Sequence, residues 1–247
     1  MGAAPRKGTD GITPLASIPW PPLTEGTLIK RYKRFLADVE LPGQGQVTAH
    51  TPNTGAMLDC SEPGRPVYLS LSDNPRRKYP YAWEMIAMPD GLVGVNTALP
   101  NRLAHLAFSI GAVPGFPRPL MVERERPVGR SRLDLKLTLP GGDEAFVEVK
   151  SSTLVRGGVA LFPDAVSQRG KRHLDELTGL ARGGKRAVLL VLAQRPGADS
   201  FSPADAIDPA WGAALRHAAS AGVEILAHTV DLTLTDAKLG RPLEVRL

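Results

Sequence analysis

At 247 residues, with 43% apolar and 22% charged side chains, the chain has ordinary globular composition and room for one large or two small domains, which excludes wholesale disorder, collagen and long coiled coils. Thirty basic against 25 acidic side chains give a net charge of +5, an excess that suits a polyanionic partner without demanding one. The single Cys60 excludes an intrachain disulfide and a cysteine zinc site, and fits a reducing cytoplasm.

In chain order, residues 1–22 are proline-rich and lack the apolar run of a secretory signal, and Arg6 stands where myristoylation needs Ser or Thr. They are expected to form a flexible tail. Residues 28–41 (LIKRYKRFLADVEL) are predicted as one long strand, with Phe35, Ala37 and Val39 on one face and Arg34, Leu36 and Asp38 on the other. Four shorter strands are predicted over 46–50, 66–72, 82–88 and 92–97, separated by Pro-Gly, Asn-Pro and Pro-Asp-Gly punctuation. Such close spacing implies a small barrel, and a basic first strand is compatible with the OB type that binds oligonucleotides. Tyr32, Tyr68, Tyr79 and Tyr81 all lie here; they can stack on bases or pack a core, the latter being the commoner fate. Residues 50–55 (HTPNTG) are expected to make a tight turn in which the Asn53 side chain caps the backbone.

Beyond Pro100 the pattern changes to alternating helices and strands. Helices are predicted over 102–110, 166–182 and 211–221, and strands over 133–139, 145–150, 187–193 and 223–227. The fold class expected is therefore a two-domain α+β protein, with an OB-like β-barrel over 23–97 and an α/β domain over 98–247. The longest apolar run, 187–193, is far short of the roughly 20 residues of a spanning helix, so no membrane partner is expected. The run GLARGGK (179–185) imitates a phosphate loop, but Arg186 replaces its Ser or Thr and it follows a helix rather than a strand. Its glycines are read as a helix terminator.

Chemistry concentrates in two strands. In LDLKLTL (133–139) leucines alternate with Asp134, Lys136 and Thr138, and in FVEVK (146–150) Glu148 and Lys150 share a face. The turn between them is PGGDE (140–144). An odd-length loop pairing Lys136 with Glu148 and Asp134 with Lys150 brings two carboxylates and an ammonium to one face; a two-residue turn would separate them. Paired carboxylates suit Mg²⁺, which can orient a phosphate, acidify an attacking water and offset charge on phosphorus oxygens while Lys150 steadies that charge. Taken alone, the same pattern also fits a strand carrying a surface salt-bridge ladder.

The segments LIKRYKRFLADVEL (28–41), HTPNTGAM (50–57), YLSLSDNPRRKYPYAWE (68–84), GVNTALPNRL (94–103), GRSRLD (129–134), FVEVKSSTL (146–154), ALFPDAVSQRGKRHLDEL (160–177) and FSPADAID (201–208) together resemble the bacterial and archaeal sugar fermentation stimulation protein A family over nearly the whole chain beyond the tail. That resemblance implies an N-terminal OB-like domain, a C-terminal PD-(D/E)xK nuclease-like α/β domain, DNA binding and a link to sugar metabolism. It maps the core acids onto Asp134 and Glu148 and the core lysine onto Lys150, with Glu125 as a fourth polar member and metal ligand, for which a solvated helix glutamate beside Arg124 and Arg126 is the competing reading. Leu133 stands where the superfamily name has proline and Leu135 where an aromatic residue is usual; neither change removes a ligand.

The candidate nucleic-acid contacts are Arg31, Lys33 and Arg34 on the first strand, Arg132 beside the first acid, and Arg169 and Lys171 near a helix start, where backbone N–H groups also favour phosphate. Ion pairing within the protein is the competing role for Arg132. The five histidines show no metal spacing, His173 lying on the 166–182 helix. The expectation is a cytoplasmic protein that binds DNA, or RNA, with weak sequence preference and hydrolyses phosphodiesters with Mg²⁺ or Mn²⁺. The alternative is a non-catalytic DNA-binding regulator of sugar-metabolism genes, against which the lack of a helix-turn-helix speaks.

Overall fold

A computed structural model describes residues 14–129 and 131–247; residues 1–13 of the expected tail, and Arg130, lie outside them. The N-terminal half runs β1 (Ser17–Pro19), β2 (Leu23–Tyr32), β3 (Leu36–Leu41), β4 (Gly45–His50), β5 (Pro66–Leu71), β6 (Tyr81–Met88) and β7 (Gly91–Gly94). The C-terminal half begins with α1 (Ala98–Ile110), β8 (Met121–Val128), β9 (Ser131–Thr138), β10 (Glu144–Ser152), β11 (Leu154–Arg156) and β12 (Val159–Phe162). It continues with α2 (Gln168–Arg182), β13 (Arg186–Ala193), β14 (Ser200–Pro203), α3 (Pro209–Ser220), β15 (Glu224–Leu232), β16 (Asp236–Pro242) and β17 (Glu244–Val245). No helix among the described residues is long and apolar enough to cross a membrane.

The first sheet has the order β4-β3-β2-β5-β6-β7, and a further pairing of β4 with β6 (Ala49↔Tyr81, His50↔Ala82) curls it toward a barrel. Leu28, Val39, Leu69, Trp83 and Ile86 fill its interior, and Met57 and Cys60 of the β4–β5 connection complete that core.

The long strand expected over 28–41 is instead a hairpin. Tyr32 pairs with Leu36 around a three-residue turn in which Lys33 and Arg34 have φ of +48° and +67°. The sequence concealed this turn because such angles are ordinarily left to Gly or Asn. Phe35 consequently sits in the turn, 43% exposed, rather than in the core with Ala37 and Val39. Asp38, expected on the outer face, is buried and accepts hydrogen bonds from Tyr32 Oη (3.0 Å) and Thr48 Oγ1 (2.9 Å).

The second sheet has the order β1-β16-β15-β13-β10-β9-β8, with β10, β13 and β15 mutually parallel and β8 and β9 antiparallel additions. β13 (RAVLLVLA) is buried on both faces, which is why it reads as an unbroken apolar run. One face packs on α1 through Leu99, Leu103 and Phe108; the other packs on α2 and α3 through Leu174, Leu177, Trp211 and Leu215. Each fully buried leucine here contributes about 1.5–3 kcal/mol. Ser167 Oγ caps α2 by accepting from Gly170 N, and Asp208 caps α3 by accepting from Trp211 N, with Pro209 at the first helical position. Gly184 (φ +77°) follows α2, so the GLARGGK run does end a helix.

Part of the expected tail is structural: Ser17–Pro19 pairs antiparallel with β16, because Ala16 and Ile18 are needed to close the core over α1. The two halves are joined directly. Gly94 N donates to Gln194 O (2.9 Å), Arg195 pairs with Asp90 and donates to Asp59 O (3.0 Å), and Met57 N donates to Asp164 Oδ2 (2.8 Å).

Candidate functional site

The β9–β10 hairpin determines which side chains meet. Thr138 pairs with Glu144 and Leu135 with Val147, a register two residues away from the one expected; Phe146, not Glu148, lies opposite Lys136. The cause is the turn: Gly141 and Gly142 take φ of +99° and +93°, and Leu139 N bonds Asp143 O, closing the hairpin after five residues. Because strands repeat every two residues, a slip of two preserves the face. Continued, the observed register sets Asp134 opposite Glu148 with Lys150 on the same side, while Lys136 pairs with Glu144 (2.6 Å).

Asp134, Glu148 and Lys150 line a cavity of about 420 Å³. Its walls come from both domains: Arg34 and Asn53–Gly55 from the barrel, Thr97, Pro100 and Asn101 from the start of α1, and Pro163–Ser167, Arg169 and His173 from the entry to α2. The expected Asx turn is present, with Asn53 Oδ1 accepting from Gly55 N (2.9 Å). It holds Gly55 so close to Asp164 that a Cβ there would lie 2.5 Å from Asp164 Oδ1.

Each carboxylate is held on defined partners. The ladder pairing between β9 and β10 stops at Leu135 and Val147, and Asp134 Oδ2 accepts the next inward amide, Val149 N (2.8 Å). Asp134 Oδ1 accepts from Asn101 Nδ2 (2.7 Å). Burial, reinforced by the neighbouring Glu148, pushes the Asp134 carboxyl up to about 6. Glu148 is 2% exposed; its burial acts upward, but Lys150 and His173 together outweigh it and hold the carboxyl below its ordinary value. Lys150 Nζ donates to Glu148 Oε1 (2.5 Å), and His173 Nδ1 contacts the same oxygen. Glu148 Oε2 is buried with no hydrogen-bond partner. An orphaned carboxylate oxygen beside a second carboxylate is a donor set that fits a hard divalent cation. Among the described residues no group of three or more His, Cys, Asp or Glu side chains is arranged to hold a metal.

The other candidates divide. Glu125 does not line this cavity: it lies on β8 with φ +54°, exposed, with Arg132 Nη1 3.9 Å from its carboxylate, although its charge is near enough to help push the Asp134 carboxyl up. Arg132 itself is exposed and lies outside the cavity lining, with only this long ion pair to Glu125. Arg31 is spent inside the fold, donating to the backbone carbonyls of Arg34, Asn53, Gly55 and Ala56 at 2.7–3.3 Å. Lys171 faces outward, paired with Asp175 (2.9 Å). Lys33 is exposed in the β2–β3 turn. Arg34 and Arg169 alone among the six basic candidates line the cavity. Sequence reasoning missed Asn101 and the role of His173. The latter left a signal: a polar ring in the stripe formed by Gly170, Leu174 and Leu177 on α2.

Two family models match the chain, the sugar fermentation stimulation protein RE domain over 98–236 and the SfsA N-terminal OB domain over 29–95. A sugar fermentation stimulation protein homolog of Geobacter sp. (strain M21) is 50% identical over 227 residues, 92% of this chain and 98% of the relative. One from Pseudomonas paraeruginosa is 49% identical over 232 residues, with 92% and 98% covered. Among solved structures, the Pyrococcus furiosus SfsA protein in complex with Ca²⁺ superimposes with a TM-score of 0.87 at 30% identity, covering 93% of this chain and 98% of that one. The barrel-then-α/β architecture read from the sequence agrees with both domain models.

Proposed function

The chain belongs to the sugar fermentation stimulation protein family, and we propose that its Asp134 cavity hydrolyses phosphodiester bonds in DNA. The observation that carries this reading is the unpartnered, buried Oε2 of Glu148 beside Asp134 and Lys150 on the cavity floor. Asp134 and that oxygen would hold Mg²⁺ or Mn²⁺. When bound, such a cation orients the scissile phosphate, acidifies the attacking water and offsets charge growing on the phosphorus oxygens. That a relative forms a complex with Ca²⁺, another hard oxygen-seeking ion, supports our reading that this protein uses a divalent cation.

The protein's own groups do the rest. Val149 N and Asn101 Nδ2 hold the Asp134 carboxylate in place before any ligand arrives. Lys150 has three N–H donors, so while one remains on Glu148 another can reach a phosphate oxygen. Arg34 from the barrel and Arg169 from the entry to α2 suit the flanking phosphates, so the strand is gripped by both domains. The barrel adds binding that is tolerant of sequence and weakens with salt. The setting proposed for this activity is the cytoplasm, as expected from the sequence.

The test uses labelled single-stranded DNA, duplex DNA and RNA with Mg²⁺, Mn²⁺ or EDTA, and compares the protein with Asp134→Ala and Lys150→Ala. Metal-dependent products are expected from the parent and from neither variant, with strand binding retained in all three. Equal binding with no cleavage by any of them would transfer the conclusion to a non-catalytic DNA-binding regulator.

A further inference from the structure

Glu148 ends in two chemically equivalent oxygens, yet the structure treats them very differently. Oε1 is shared by Lys150 Nζ at 2.5 Å and His173 Nδ1, whereas Oε2 has no partner. The two groups on Oε1 are also unlike each other. Lys150 sits at the end of a flexible four-carbon arm, and in the proposed reaction its ammonium is shared with phosphate. His173 projects from α2, whose position is set by the Ser167 cap and by Leu174 and Leu177 buried against the sheet. Its imidazole is therefore placed by packing between helix and sheet.

The tautomer follows from the neighbours. The Glu148 carboxylate can only accept, so Nδ1 carries a proton and donates it to Oε1, while Lys150 Nζ lies 3.4 Å from Nδ1 and Arg169 Nε 3.4 Å from Nε2. We infer that His173 is a positioning residue, which holds Glu148 Oε1 while Lys150 engages substrate and so keeps Oε2 presented to the cation. This rests on the cation reading given above and assigns His173 no contact with the cation itself. Outer partners that orient a ligating side chain in this way set metal affinity by about 10- to 100-fold.

Titration calorimetry with Mn²⁺, and separately with Ca²⁺, on the full chain tests this with His173→Ala, His173→Gln and His173→Asn, each checked for folding by its melting curve. An asparagine amide falls near the position of the imidazole Nδ1 and keeps the donor, while glutamine carries it one carbon too far. Expected is an affinity about 10- to 100-fold weaker in the Ala and Gln variants, with the Asn variant within about threefold of the parent. In cleavage assays kcat at low Mn²⁺ should fall in the first two and recover at saturating Mn²⁺, with KM for the strand unchanged. Unaltered cation affinity in folded His173→Ala or His173→Gln would overturn the inference and leave the nuclease reading standing. A parent chain that binds neither cation would overturn the cation reading, and this inference with it.

Discussion

Arg31 and Arg34 lie three residues apart in one basic cluster, and the structure gives them opposite roles that a pair of alanine variants can separate. Arg31 makes four hydrogen bonds to backbone carbonyls, three of them from Nη2, so at least two acceptors share a proton. The net loss on truncation is then nearer one or two charged hydrogen bonds than four. At about 1.5–3 kcal/mol for each, and with water able to solvate the more exposed carbonyls, Arg31→Ala should destabilise by roughly 2–4 kcal/mol. For a chain of this length that corresponds to a melting temperature lower by roughly 5–15 °C. Arg34 makes no such side-chain bonds to the loop and faces the cavity. Arg34→Ala should leave the melting curve within about 1–2 °C of the parent, since surface changes away from packed features cost within about 0.5 kcal/mol. It should weaken oligonucleotide binding and reduce the slope of log affinity against log salt by about one. Thermal unfolding by circular dichroism and fluorescence anisotropy against a labelled oligonucleotide supply the two readouts. If Arg31→Ala melts with the parent but loses strand binding, the loop-holding role of Arg31 is refuted and the cluster acts as one phosphate-binding patch.

Other consequences follow from packing and burial. Gly55→Ala forces its new methyl against Asp164 and should cost about 1–3 kcal/mol; combining it with Asp164→Ala should restore part of that loss, and purely additive melting shifts would show that the two do not touch. Cys60 is fully buried and its thiol is pushed up to about 11, so a disulfide reagent at pH 8 should titrate it only after urea unfolds the chain; rapid modification of the native protein would contradict the packing. Burial holds the His228 imidazole below its ordinary 6.5. The unfolded chain therefore takes up this proton first: stability present above pH 6.5 falls as pH drops through the folded value. Asp134, whose raised carboxyl adds stability as it protonates over the same range, acts alike in parent and variant, so the urea midpoint should lose more between pH 7.5 and 5.5 in the parent than in His228→Gln; identical slopes would remove His228 as a cause.

Much of the fold was legible because it is local. Alternation in LDLKLTL and FVEVK, the unbroken apolar run of β13 and the Pro-Gly punctuation of the barrel each reflect a periodicity of two or a backbone preference acting within a few residues. That Asp134, Glu148 and Lys150 share a face survived a register two residues from the expected one, since parity alone decides the face. The hairpin at Lys33 and Arg34 was hidden because its left-handed angles fall on residues that rarely adopt them.

What tertiary structure alone decided was partnership. A sequence shows that Arg31, Arg34, Arg132 and Arg169 are charged, and it cannot show that Arg31 is consumed by loop carbonyls, that Arg132 turns to Glu125, or that only Arg34 and Arg169 face the cavity. Likewise His173 reaches Glu148 across 25 positions of sequence, and the barrel loop at Gly55 closes against Asp164 across 109, through contacts set by how helix, sheet and barrel dock. Backbone periodicity is short-range physics and is written residue by residue. The choice of which charge meets which acceptor depends on distances between elements remote in sequence, and only the assembled core determines them.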